Sequence, residues 1–325
     1  MNRRKVLLLA GAATASLWPV NLLAQRGKKI PLLGVLLYGD PKTDPNIESF
    51  RHGLGGLGYV DGENITIGYR YADGRPERLP ELGAELVRLK PDVLLALGGD
   101  VVRHVHTETK TIPIVFAISS DPVRSGLVAS LGRPGGNATG FTFLQDELAS
   151  KRLALLKEVV PSISNVGFLF YPMHLDNELR EAERAALALG VKLHPVEMRG
   201  SDDLDRALDR LTQIGVDSLY VVSSRPTVAS VTRILAFATK NKLPVAGGWG
   251  TWVEAGALIS YGPNVLDITR QSAVYVDKIL KGAKPADLPA QQPTRFELFV
   301  NLKTAKSLGL AIPESFLLQA DKIIE

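Results

Sequence analysis

Short apolar, β-branched runs recur along this chain with amphipathic stretches between them, and that alternation limits the fold more than any other feature. Leu32–Leu37, Val93–Leu97, Ile114–Ile118, Val166–Phe170 and Ser218–Val222 each have the length and composition of a buried strand. Asn46–Leu57 carries Ile47, Phe50, Leu54 and Leu57 at helical spacing. Helices are likewise expected over Leu79–Leu89, Val101–Lys110, Leu148–Val159, Asn177–Leu189, Leu204–Ile214 (capped by Ser201-Asp202-Asp203), Thr227–Lys240 and Leu266–Leu280. Strand–helix alternation with short joints builds right-handed βαβ units and a mostly parallel sheet. The rhythm restarts after Phe143, which predicts an α/β chain of two Rossmann-like lobes with no residue-level repeat between them.

In open α/β sheets, ligands bind beyond the carboxyl ends of the strands. Here those ends carry small polar or aromatic clusters: Tyr38 and Asp40, Gly99 and Asp100, Ser119-Ser120-Asp121, Tyr171, Ser223-Ser224 and Trp249. The most informative is Ile114–Ile118 running into Ser119-Ser120-Asp121, stopped by Pro122. Arg133-Pro-Gly-Gly-Asn137 then turns the chain into Thr139–Phe143, so a polar strand tip lies beside a crossing between lobes. A cleft built from such tips offers backbone amides to a carboxylate. Asp121 or Asp40 would pair an ammonium there, and Tyr38, Phe141, Tyr171, Trp249 and Tyr261 would wall an apolar portion. Asp121 with Ser119 and Ser120 from the first lobe, and Tyr171, Ser223 and Ser224 from the second, form the expected heart of the site. Gly99, Asp100 and Thr142 complete the candidate ligand-binding set.

Other chemistry finds little footing. Gly53-Leu-Gly55-Gly56-Leu57-Gly58 spells a dinucleotide fingerprint, but it sits late in a helix where a close-packed helix end is expected instead. His104 and His106 point to different helix faces, and His52, His174 and His194 complete no local metal pattern, so surface or internally satisfied histidines are expected. With no cysteine among the 325 residues, disulfides, thiol catalysis and a lipid-modified cysteine are excluded. No nucleophile with a nearby base, cofactor or metal site is evident.

The amino terminus reads as an export signal over residues 1–24: Arg3-Arg4-Lys5, an apolar run from Val6 to Leu23, and a small residue, Ala24, at the cleavage point. The paired arginines fit the general and the twin-arginine routes equally. Removing this segment takes three basic residues from the 38 Lys and Arg and none from the 34 Asp and Glu, so the near-neutral remainder argues against a nucleic-acid partner.

Longer motifs then carry a resemblance. Leu57-Gly-Tyr-Val-Asp-Gly-Glu-Asn-Ile65, Arg78-Leu-Pro-Glu-Leu82, Thr111-Ile-Pro-Ile-Val-Phe116, Asp121-Pro-Val123, Gly126-Leu-Val-Ala-Ser-Leu131, Arg133-Pro-Gly-Gly-Asn137, Thr139-Gly140, Lys151-Arg-Leu153, Ser260-Tyr-Gly-Pro-Asn264, Phe296-Glu-Leu298 and Asn301-Leu-Lys-Thr-Ala-Lys-Ser-Leu-Gly309 resemble the ABC-transporter substrate-binding proteins often labelled tryptophan/tyrosine transport components. The resemblance implies a type I periplasmic binding protein: two lobes with parallel central sheets, joined by a three-strand hinge. It divides the chain into residues 30–140 plus 262–292 and residues 141–261 plus 293–325. It also implies a soluble, monomeric periplasmic receptor that passes a small molecule, an aromatic amino acid or related carboxylate, to an ABC permease in the inner membrane. Leu97-Gly-Gly-Asp100-Val-Val-Arg-His104 departs from the Thr-Pro/Ala-rich stretch expected there, and Arg225-Pro226 and Gly247-Gly248-Trp249 also differ. An enzyme on the same scaffold and a ligand sensor feeding a signalling partner stay open as alternatives.

Overall fold

A computed structural model describes residues 29–42, 44–143, 145–174 and 177–325, without the side chains of 145–147; the export segment lies outside the described residues. The strands are β1 (Leu32–Leu37), β2 (Thr66–Tyr71), β3 (Val93–Leu97), β4 (Ile114–Ile118), β5 (Ala138–Thr142), β6 (Asn165–Phe170), β7 (Lys192–Glu197), β8 (Ser218–Val221), β9 (Val245–Gly247), β10 (Ile259–Gly262), β11 (Glu297–Asn301) and β12 (Lys322–Ile324). The helices are α1 (Pro45–Gly56), α2 (Leu79–Arg88), α3 (Gly99–His106), α4 (Gln145–Val159), α5 (Glu178–Leu189), α6 (Leu204–Ile214), α7 (Arg225–Ala229), α8 (Val231–Lys240), α9 (Gly250–Glu254), α10 (Val265–Leu280), α11 (Leu302–Ser307) and α12 (Glu314–Leu317).

Two sheets form, in the orders β2-β1-β3-β4-β5 and β12-β11-β10-β9-β8-β6-β7. The first is wholly parallel, and in the second only β10 and β11 run antiparallel. The chain passes between sheets three times: from β5 into α4, from β10 into α10, and through Gln291 to Phe296 into β11. Helix α10 packs on α1 and on β4 of the first lobe, so the second passage returns the chain to its starting sheet. Gln291 then bridges Phe141 before the third.

The strands are apolar because helices cover both faces. On the first lobe, Leu36, Leu94 and Phe116 pack with Leu82, Leu86 and Val102 of α2 and α3. The opposite face joins Leu33, Val35 and Val115 to Phe50 and Leu54 of α1 and Ala273 and Val276 of α10. Gly53 explains how closely α1 and α10 approach: a Cβ there would stand 2.5 Å from the Arg270 carbonyl. The apparent dinucleotide fingerprint therefore starts with a helix-packing glycine, while Gly55, Gly56 and Gly58 have open space around them. On the second lobe, α4 and α5 cover one face and α6, α8 and α9 the other.

Two local expectations change, and one strand has no counterpart in the sequence pattern. Leu204 is not capped by the acidic pair before it; Ser201–Asp203 form a short 3-10 turn, and Asp203 spends its carboxylate on the Arg199 amide and the Arg206 guanidinium. The helix expected over Thr227–Lys240 breaks at Ser230, whose backbone leaves the helical region (φ −106, ψ 8), giving α7 and α8. The carboxyl-terminal β12, Lys-Ile-Ile, carries no strand alternation and pairs on the outer edge of β11.

Gly140 in β5 makes one of the two tightest backbone contacts beside the hinge, Gly262 at the end of β10 the other. The Gly140 φ of +151 lies where side chains are strained, and a Cβ would fall 1.9 Å from the Phe116 carbonyl oxygen. Gly140→Ala is expected to lower stability by more than about 3 kcal/mol, because neither strand can yield without losing its ladder. Urea unfolding of the purified variant checks this; a loss under about 1 kcal/mol would contradict the packing described.

Candidate ligand cleft

The carboxyl ends of the two sheets face each other, and the loops that leave them meet. Tyr38 follows β1, Asp100 opens α3, and Ser119 and Ser120 follow β4. From the other side come Tyr171 and His174 after β6, Ser223 to Arg225 after β8, and Trp249 after β9. Every one of these except the half-buried His174 is buried, although loop tips at a sheet edge are ordinarily wet. The lobes are closed on one another.

Specific bonds hold that closure. Ser119 Oγ lies 2.8 Å from His174 Nε2 across the cleft. Arg225 Nε donates to the Leu97 carbonyl (3.1 Å) and Nη1 to Asp44 Oδ2 (3.2 Å). Gly98 leaves room for the Arg225 stem, since a Cβ there would stand 3.2 Å from it. Burial raises the Tyr38 phenol well above its usual range, with Asp100 and Tyr171 adding to the effect and a hydrogen bond with Ser201 opposing it. Burial, then Asp100, raise Tyr171 in the same way, against Arg103. Both phenols therefore stay protonated at neutral pH. Beside this cluster a cavity of about 470 Å³ opens between the lobes, lined by Tyr38, Asp40, Asp44, Gly74, Arg225 and Trp252.

Not all of the expected residues converge. Phe141 points away from the cleft into the first core, its ring 4.9 Å from Tyr275. Tyr261 packs on Phe296. Asp121 Oδ1 accepts the amides of Val123 and Arg124, and Asp40 Oδ1 accepts that of Lys42; both carboxylates serve turns. Thr142 donates to the Ser120 carbonyl and steadies that tip. Ser223 accepts from the Gly248 amide, and Ser224 forms a capping box with Thr227. Gly99 fits beside Ser120 because a Cβ there would lie 2.7 Å from its Oγ. Trp249 meets Phe143 edge-on at 6.2 Å. Asp44, His174 and Arg225 stand outside the expected ligand-binding set, and His174 was expected to be surface or internally satisfied.

A buried ion pair underlies the second lobe's half. Arg152 of α4 and Glu178 at the start of α5 are each 1% exposed and paired through Nη1 and Oε1. Arg152 Nε also donates to the Tyr261 carbonyl at 2.6 Å, and Tyr220 Oη lies 3.3 Å from both partners. One guanidinium thus ties the helix after the first crossing to the strand before the second and to the helix behind the Tyr171–His174 loop.

Parallel strands, two facing sheets and three crossings define a type I periplasmic binding fold. The profile of the family described as ABC transporter substrate binding protein matches residues 36–324, and the chain belongs to that family. A tyrosine-binding protein of Clostridioides difficile (strain R20291) is 27% identical over 274 residues, 83% of this chain and 78% of the relative. An ABC domain from Streptococcus pneumonia solved in complex with L-Trp is 24% identical, with a TM-score of 0.82 over 90% of this chain and 99% of that one. The ligand-free, open structure of a Clostridium difficile substrate-binding protein with adhesive properties, 25% identical, scores 0.60 over 91% and 99%. That structure is described as open, whereas the lobes here are bonded to one another. No helix among the described residues is long and apolar enough to cross a membrane.

Two substitutions test the contacts. Arg225→Met leaves Asp44 unpaired and weakens closure by about 2–4 kcal/mol, so affinity for any ligand held by both lobes falls on the order of 100-fold by calorimetry. Arg152→Met strands a buried carboxylate and is expected to cost about 3–5 kcal/mol in urea unfolding, with Arg152→Lys a poor substitute because it lacks the fork.

Proposed function

We propose that this protein is the periplasmic receptor of an ABC importer, binding an aromatic amino acid or related carboxylate between its lobes and delivering it to a permease. The observation that carries the reading is the closed interface itself: two lobes clasped through Ser119–His174 and Arg225–Asp44, with Tyr38, Tyr171 and Trp249 buried at the strand ends that meet there. There Asp100, Ser120 and the Trp249 indole N–H are buried without a described hydrogen-bond partner. Native interiors satisfy nearly all such groups, so groups left over at a lobe interface suit a polar ligand. The aromatic side chains there suit an aromatic one, as do the tyrosine named for the Clostridioides difficile relative and the L-Trp of the Streptococcus pneumonia complex.

In this reading residues 30–140 with 262–292 and residues 141–261 with 293–325 move as two bodies about the three crossings. Ligand touches both only when they close, and so shifts the population toward the closed form. No bond is made or broken. Residues 1–24 direct export, and the mature monomer works as a soluble carrier. Tyr38, Ser119, Ser120, Tyr171, Ser223 and Trp249 are the side chains assigned to the solute.

A thermal-shift series on the mature protein tests this. At about 100 times Kd a ligand adds about 2.7 kcal/mol to the native state, a rise on the order of 5 °C for a chain of this size. L-Tyrosine, L-phenylalanine or L-tryptophan is expected to give that rise and to change the fluorescence of Trp249 and Trp252. A rise with sugars or nucleosides, and none with aromatic amino acids, would overturn the ligand class.

A further inference from the structure

One carboxylate in the cleft has no counter-charge bonded to it among the described residues. Asp100 is 1% exposed, and neither Oδ1 nor Oδ2 has a described hydrogen-bond partner. Its surroundings are close and well defined. Oδ1 would stand 2.7 Å from a Cβ placed on Gly98, and its charge acts on the phenols of Tyr38 and Tyr171. Ser120 Oγ, likewise buried and without a described partner, lies against the adjoining Gly99.

Two guanidiniums stand near, and the bonds of both go elsewhere. Arg225 faces the same glycine, but it donates to Leu97 and Asp44. Arg103, one turn along α3, donates its Nε to His104. An isolated buried carboxylate is expensive even after relaxation. Chains that keep one at a ligand interface have a use for it. The same placement sets the polarity of the site. Asp100 lies in the first turn of α3, so the helix end that would otherwise attract an anion already carries a negative charge.

We propose that Asp100, with Ser120 beside it, is the specificity-determining subsite for a cationic group, a protonated amine or amidinium, held between the phenols of Tyr38 and Tyr171. A ligand carboxylate is then directed away from α3, toward the indole N–H of Trp249 on the second lobe, a donor with no described partner of its own. Closing the lobes over an uncompensated Asp100 is unfavourable, and an arriving cation removes that penalty. The subsite therefore couples ligand charge to closure. This rests on the cleft being the solute site, as in the proposed function, and adds which charge the solute must bear.

The experiment compares four probes on the mature wild-type protein and on Asp100→Asn by calorimetry and thermal shift. L-Phenylalanine has both charged groups, phenethylamine only the amine, and 3-phenylpropanoate only the carboxylate; agmatine is a cation without an aromatic ring. Both amine-bearing aromatics are expected to bind, 3-phenylpropanoate to bind at least about 100-fold more weakly than L-phenylalanine, and Asp100→Asn to erase most of that difference. The ligand-free melting temperature of Asp100→Asn is expected not to fall, since a buried unpaired charge has been removed.

If 3-phenylpropanoate equals L-phenylalanine in the wild type, the subsite is overturned while the aromatic receptor reading stands. If agmatine binds through Asp100 and no aromatic does, the subsite stands and the aromatic reading falls. Binding of none of the four overturns both. A clear drop in the ligand-free melting temperature would mark Asp100 as a structural carboxylate and overturn the subsite, and the probe comparison on the wild type does not depend on the variant folding.

Discussion

A parallel sheet covered by helices on both faces has its polar freedom at its carboxyl edge, and everything functional in this chain depends on setting two such edges against each other. The side chains within β1, β3 and β4 are spent on packing. The residues just past Leu37, Leu97 and Ile118 are not, because the next helix begins only after a turn and the loop between has no layer above it. In a single lobe those loops would be solvated. Here the second lobe covers them, which turns the ordinary end of a sheet into a buried, polar interface.

Closure of that interface rests on two guanidiniums whose bonds are accounted for among the described residues. Arg225 crosses into the first lobe and meets Asp44 and a backbone carbonyl. Arg152 meets Glu178 and the Tyr261 carbonyl. The second network touches no solute, yet it joins two crossings to the loop that carries Tyr171 and His174. All of its members lie in the second lobe, so it fixes the end of β10, α4 and the helix behind that loop as one body. Asp100 has no hydrogen-bond partner among the described residues, and it lies where the two lobes meet rather than in either core.

The alternation of strands and helices was legible because burial on both sheet faces leaves continuous apolar runs, and the polar strand tips stood out against them. The doubled rhythm gave the two lobes. What could not be read was direction and partnership. Phe141 and Thr142 are adjacent in a strand buried on both faces, so apolar periodicity says nothing about which one faces the core and which supports the cleft. Asp121 and Asp100 look alike as acids after strands; the first is drawn into a turn by the Pro-Val next to it, and only the packing around Gly98 and Gly99 leaves the second without a described partner. His174 and Arg225 draw their roles from Ser119 and from Leu97 with Asp44, residues far away in sequence, and a lone histidine in a loop carries no signal of such a bond. Ser230 breaks a helix whose apolar spacing continues across the break.

These placements make the two lobes unequal. The first contributes acceptors and small groups at fixed positions: Asp100, Ser119 and Ser120, all at the ends of central strands and steadied by Thr142 and Gly99. The second contributes the Tyr171–His174 loop and Arg225, which reach the first lobe, and the buried Trp249 indole. A solute that engaged only the first lobe would leave Asp100 open to water, where its charge costs little. One that also engages the second must tolerate removal of that water, and so must carry its own compensation. Selectivity in such a cleft belongs to the closing step more than to first contact, which is why a residue that only closure buries can decide it.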